Sequence, residues 1–94
     1  MNEFWEEYKA AHQFYPTRLL HAIGTAYGIY AVISGIISGS YWFCFAGIFV
    51  AYGLAWSSHW FIEGNSPLTL KNPIYSILCD FWMAFHILTG RNPK

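Results

Sequence analysis

Hydrophobic and polar positions divide the chain into four stretches. In the first, Phe4, Trp5, Tyr8, Ala11, His12 and Tyr15 recur at helical spacing, while Glu3, Glu6, Lys9 and Gln13 lie mostly on the opposite side. The pattern predicts a short amphipathic helix over residues 3–14, and its Trp and Tyr suit the plane of a membrane interface. His12 falls on the apolar stripe. Tyr15-Pro16 is expected to end this helix, because a residue before proline avoids the helical region.

From residue 19 to residue 62 there is no Asp, Glu, Lys or Arg, and Gly39-Ser40 interrupts this tract near its middle. Thr17 can cap a helix over residues 18–38, and a second helix follows over 41–62. Each is roughly 30 Å long, enough to cross the hydrocarbon core of a bilayer. Tyr41-Trp42 at one end and Trp56 and Trp60 at the other supply interfacial aromatics. Gly24, Gly28, Ala31 and Gly35 share a slowly drifting face of the first span. Gly47, Ala51 and Ala55 recur every fourth position in the second. Small-residue faces let membrane helices approach closely, and they would also let copies of the chain associate. Asn65-Ser66-Pro67 reads as a loop. Pro73 starts a last helix over 73–88 with an apolar stripe of Ile74, Ile77, Phe81, Phe85 and Leu88. At that length it is short for a span, and the tail Arg91-Asn92-Pro93-Lys94 is expected to be solvated.

The expected fold is therefore all-α: one small integral membrane helical bundle of residues 1–94 made of an amphipathic helix, a spanning hairpin and a shorter fourth helix. Composition agrees, with 55% hydrophobic, 21% aromatic and only 11% charged residues. A net charge of zero gives no reason to expect nucleic acid as a partner. The acidic start, Glu3 with Glu6 and Glu7, does not read as a secretory signal. Cys44 and Cys79 lack partners at metal-ligand spacing and read as small apolar fillers.

Chemistry concentrates at one end of the hairpin. His21 and His59 each lie roughly 19 residues from the Gly39-Ser40 turn, so both stand roughly 28 Å from it, on the same membrane face. His12 belongs to that end. Glu63, four residues after His59, would share its helical face. Ionisable groups at a membrane edge are costly to keep without a purpose, so His12, His21, His59 and Glu63 are candidate metal ligands. Two histidines with a carboxylate suit non-haem Fe(II), which keeps open positions for substrate. An all-nitrogen set suits zinc or a haem with two axial histidines equally well. His86 has no spacing partner and reads as structural. Asp80 is either a partner of Arg18 or the histidines, or a solvated residue.

The string His12-xxxx-Thr17-Arg18-xx-His21-xx-Gly24-Thr25, then His59-xxx-Glu63-x-Asn65-x-Pro67, resembles the 2-hydroxy fatty acid (2-hydroxy-palmitic acid) dioxygenase-like membrane family. The run Thr69-xxx-Pro73-xx-Ser76-xxx-Asp80-xx-Met83 is similar to the ending of its short bacterial form. The resemblance implies an Fe(II) enzyme that uses O₂ to remove one carbon from a long-chain 2-hydroxy fatty acid. It implies iron held by His21, His59 and Glu63, with His12 as a further ligand or a base beside them. Arg18 would steer the substrate carboxylate. The membrane would be the inner membrane of a bacterium or the endoplasmic reticulum of a eukaryote. Lys9, Arg18 and Lys71 favour the cytoplasm for the site end. A haem-binding electron-transfer protein, a small proton-coupled transporter and a non-catalytic assembly factor are the alternatives.

Overall fold

A computed structural model describes residues 2–93 and contains four α-helices, with no strand among the described residues. They are α1 (Asn2–Ala11), α2 (Tyr15–Ser38), α3 (Tyr41–Ser58) and α4 (Pro73–Leu88). α3 continues directly into a π-helical turn, His59–Glu63, and a 3₁₀ turn, Leu68–Leu70, precedes α4. α2 and the α3–π unit are each long and apolar enough to cross a membrane.

Pro16 does not end a helix here; it lies in the first turn of α2. A proline costs nothing at that point, because the N–H it lacks would have no intrahelical acceptor. The chain bends earlier instead, where Phe14 is extended at φ −91° and ψ 138°. Thr17 is consequently inside α2, fully buried, and does not cap it. Gly39 closes α2 in the left-handed conformation at φ 74°, and the Ser40 N–H reaches back to the Gly35 carbonyl at 2.8 Å.

The two long helices pack through their small residues. A Cβ placed on Gly24 or Gly28 would lie 3.2 or 3.4 Å from Ala51 atoms, and one on Gly47 would collide with the Ala31 methyl. Large side chains face outward: Trp42, Phe49 and Phe61 are all more than three-quarters exposed. That is the arrangement a bilayer favours, since apolar burial between helices gains little there and close backbone packing gains more.

α4 follows the same logic. The apolar stripe of Ile74, Ile77, Phe81, Phe85 and Leu88 is exposed. Its inner face is Ser76, Cys79, Met83, Ala84 and Ile87. Asn72 caps the helix by accepting the Tyr75 N–H at 3.2 Å. The inner face joins Phe4 and Tyr8 of α1 and Ala22 of α2 in one core cluster. The apolar stripe of α1 thus packs on α4 rather than lying flat on lipid. His86 sits among aromatic rings, edge-on to Trp82 at 4.6 Å and 6.3 Å from Trp5.

Candidate metal centre

Three histidines meet at the end of the hairpin opposite the Gly39 turn. His12 comes from the link between α1 and α2, His21 from the second turn of α2, and His59 from the start of the π turn. All three are buried, with exposures of 1%, 4% and 2%. Their ring centroids are separated by 4.5 Å (His12–His21), 4.4 Å (His12–His59) and 5.1 Å (His21–His59), each pair edge-on. One ring nitrogen from each lies within 4.8 Å of the others, so the group could hold a metal ion.

The hydrogen bonds fix the tautomers. His12 Nδ1 lies 2.6 Å from the Tyr8 carbonyl, and His21 Nδ1 lies 2.8 Å from the Thr17 carbonyl. A carbonyl can only accept, so both Nδ1 atoms carry the proton. His59 Nδ1 is 2.7 Å from Asn65 Oδ1, and the Asn65 amide nitrogen donates to the Ala11 carbonyl at 3.0 Å, which points its oxygen at the ring. All three Nε2 atoms are then left with bare lone pairs. Two of them, His12 Nε2 and His21 Nε2, stand 3.1 Å apart. Two lone pairs at that separation repel unless a cation lies between or beside them. Burial, and next the neighbouring His21, push the pKa of His12 down from 6.5 to about 2, so protonation is not the remedy. The donor set fits a metal ion, with each ring oriented from behind by an oxygen acceptor.

Glu63 is not part of this group. Its two carboxylate oxygens accept the backbone N–H groups of Gln13 and Phe14, at 3.0 and 2.9 Å. In an α-helix Glu63 would stack one turn above His59, but here the intervening turn is π. The Glu63 carboxylate is taken up by the two amides, although its charge is still felt at His59. The same carboxylate sits beside the positive end of α2, where no side-chain cap is present.

Arg18 is buried and uses four of its five N–H groups. Its Nε donates to the His12 carbonyl at 2.5 Å, Nη1 to Asn92 Oδ1 at 2.8 Å and to the Pro93 carbonyl, and Nη2 to the Lys9 carbonyl at 3.4 Å. None of these acceptors is a carboxylate. The C-terminal tail, expected in solvent, is fastened over Arg18.

Asp80 joins neither Arg18 nor the histidines. It accepts the Tyr8 hydroxyl at 2.5 Å, and the Tyr8 ring lies stacked on His12 at 3.9 Å. Burial raises the pKa of Asp80 from 3.8 to about 6, against the lowering effect of the Tyr8 hydrogen bond. Tyr8 is raised well above 10, by burial first and then by the charge of Asp80. The pair spans residues from opposite ends of the chain. A tyrosine four residues before His12 and a lone acid in an apolar helix were its only traces in the sequence.

A cleft of about 370 Å³ opens between α2, α3 and α4. His21, Thr25, Tyr52 and Asp80 contribute its polar groups, and Ile29, Val32, Ile33, Ile48, Ile77 and Phe81 its apolar wall. It follows α2 away from the histidines for roughly three turns.

The fold and site define a small helical bundle with two helices long and apolar enough to cross a membrane and, at one end, a buried three-histidine group that could hold a metal. The family model described as 2-hydroxy-palmitic acid dioxygenase Mpo1-like matches residues 1–92, and the chain belongs to that family. No curated protein and no solved structure matches it.

Proposed function

We propose that this protein is a membrane-embedded, Fe(II)-dependent dioxygenase of long-chain 2-hydroxy fatty acids. The reaction would convert the hydroxy acid and O₂ to an acid one carbon shorter, CO₂ and water. Those atoms and electrons balance with no organic cosubstrate. The observation that carries this reading is the pair of unprotonated, buried Nε2 atoms of His12 and His21 beside His59, in a chain of this family.

His12, His21 and His59 would hold the metal through Nε2. When bound, ferrous iron supplies the redox chemistry that O₂ requires. The chain's own residues do the rest. Three neutral imidazoles leave the charge of a divalent ion uncompensated, which favours an anionic head group. The apolar cleft takes the acyl chain and shields it from water. Tyr8, Thr17 and Asn65 hold the three rings in place. Glu63 keeps the Gln13–Phe14 bend closed and so keeps His12 over the site. The packing favours iron over haem: three rings converge from three directions with Tyr8 behind them, a poor fit to a flat porphyrin. The site end would face the cytoplasm, in a bacterial inner membrane or the endoplasmic reticulum.

The test is elemental analysis of chelator-free protein combined with product analysis in detergent. Stoichiometric iron and release of CO₂ with the shortened acid are expected. Protein that carries no metal, or that forms a Soret-absorbing complex with haem while leaving hydroxy acids intact, overturns the reading.

A further inference from the structure

Asp80 is a carboxyl group placed where an apolar cleft meets the histidine group. Tyr8 is the spacer that puts it there. Its ring face stacks on His12, and its hydroxyl, at the ring's edge, donates to Asp80 Oδ1. Asp80 is therefore one aromatic ring away from the candidate metal centre and lines the cleft together with His21 and Thr25. Tyr8 is its one hydrogen-bond partner among the described residues, so Oδ2 is left without a protein donor. Tyr8 is completely buried and cannot move aside to serve both oxygens.

We infer that Asp80 is a specificity-determining residue that accepts a hydrogen bond from the hydroxyl group of the acyl ligand. This rests on the hydroxy fatty acid reading above and names the group that enforces it. The physical case has two sides. A hydroxyl entering the cleft gives Oδ2 a donor it otherwise lacks, and a hydrogen bond to a charged group is among the stronger ones. An unhydroxylated acid offers no donor. It displaces whatever water reaches Oδ2 and leaves a half-buried carboxylate oxygen unpaired, next to the like charge of its own head group. A site built to bond a hydroxyl rejects the analogue lacking it far more strongly than an apolar pocket rejects one methylene. Asp80 thus selects by attraction and by exclusion together. The Tyr8 bond holds the carboxyl in one orientation, so that the free oxygen need not be ordered by the ligand.

The experiment measures binding without turnover. The full chain, as purified in detergent and under nitrogen, is titrated with 2-hydroxyhexadecanoic acid and with hexadecanoic acid, following tryptophan fluorescence. The ratio of the two Kd values is compared among wild type, Asp80→Leu and Asp80→Asn. Any chelation of the hydroxyl by metal contributes to all three proteins and cancels. The preference for the hydroxy acid should fall by roughly tenfold in Asp80→Leu, with hexadecanoic acid binding as well as or better than before. Asp80→Asn keeps an acceptor for Tyr8 and should lose several-fold, which covers the case of a misfolded leucine variant. Circular dichroism reports on the fold. An unchanged ratio in the folded variants overturns the inference, as does an absence of binding by either acid. So does hexadecylamine binding more tightly than the hydroxy acid in an Asp80-dependent manner, which would make Asp80 an ammonium site. The two readings fail separately. Iron-loaded protein that shortens hydroxy acids while the ratio ignores Asp80 refutes only the role of Asp80. An Asp80-dependent ratio without turnover refutes only the dioxygenase.

Discussion

Asn65 holds His59 from behind: its Oδ1 accepts the Nδ1 proton at 2.7 Å, while its own amide is pinned to the Ala11 carbonyl at 3.0 Å. One side chain thus sets the tautomer of a candidate ligand and ties the loop after α3 to the end of α1. Asn65→Ala should lower metal affinity about 10–100-fold, the usual effect of losing a group that orients a ligand. Metal titration checks this, with circular dichroism to show retained helicity. Unchanged affinity would mean that the Asn65 contact does not orient the ring.

His12→Ala, His21→Ala and His59→Ala should each abolish stoichiometric metal, and His86→Ala should not. Glu63→Gln separates the sequence expectation from the geometry. Because Glu63 serves the Gln13 and Phe14 amides, the variant should retain metal. It should lose about 1–3 kcal/mol of stability, the range for weakening charge-assisted hydrogen bonds. Metal analysis and thermal melts report the two effects separately.

The buried His12 also makes stability depend on pH. Its folded pKa, about 2, lies below the unfolded value of 6.5, so the folded state favours the neutral ring. Its contribution is fully present above pH 6.5 and is lost as pH falls, because the unfolded chain takes up a proton that the folded one refuses. The slope approaches about 1.4 kcal/mol per pH unit. Asp80 acts oppositely: with its pKa raised from 3.8 to about 6, it adds stability as pH falls between those values. The difference between wild type and His12→Asn isolates the histidine. That difference should shrink steadily from pH 7 to pH 5 in thermal melts. A difference that is constant over this range would show that His12 is not held neutral by the fold.

Gly47 faces the Ala31 methyl with no room for a Cβ. Gly47→Val should therefore force the two long helices apart and cost about 1–3 kcal/mol or more. Gly53, with open space around its would-be Cβ, is the control: Gly53→Ala should leave the melting temperature unchanged or slightly raised.

The hairpin and its histidines were legible because both follow from counting. Helical rise from a glycine turn sets the depth of His21 and His59, and a repeat of small residues sets the contact face. The π turn at His59–Glu63 was not legible, since nothing in the spacing of an α-helix announces one extra residue. Glu63 at its end serves the bend before α2. The inner face of α4 was not read from the sequence, for a physical reason. An apolar stripe draws the eye to the large residues, whereas the small Ser76, Cys79 and Ala84 are among those that face the bundle. Tyr8–Asp80 and Arg18–Asn92 join positions more than seventy residues apart, and no local pattern encodes such pairs.

The three histidines do not all come from the hairpin. His21 and His59 belong to the hairpin, which a bilayer can accept as soon as both long helices exist. His12 comes from the link after α1, and α1 packs on α4, which follows the hairpin in the chain. The ion would then be captured at the end of biogenesis, once every helix is in place. A half-assembled chain would offer two ligands and release what it picked up. On the reading proposed above, metal retention would report completed assembly, and a redox-active ion would be held back until the protein around it is closed.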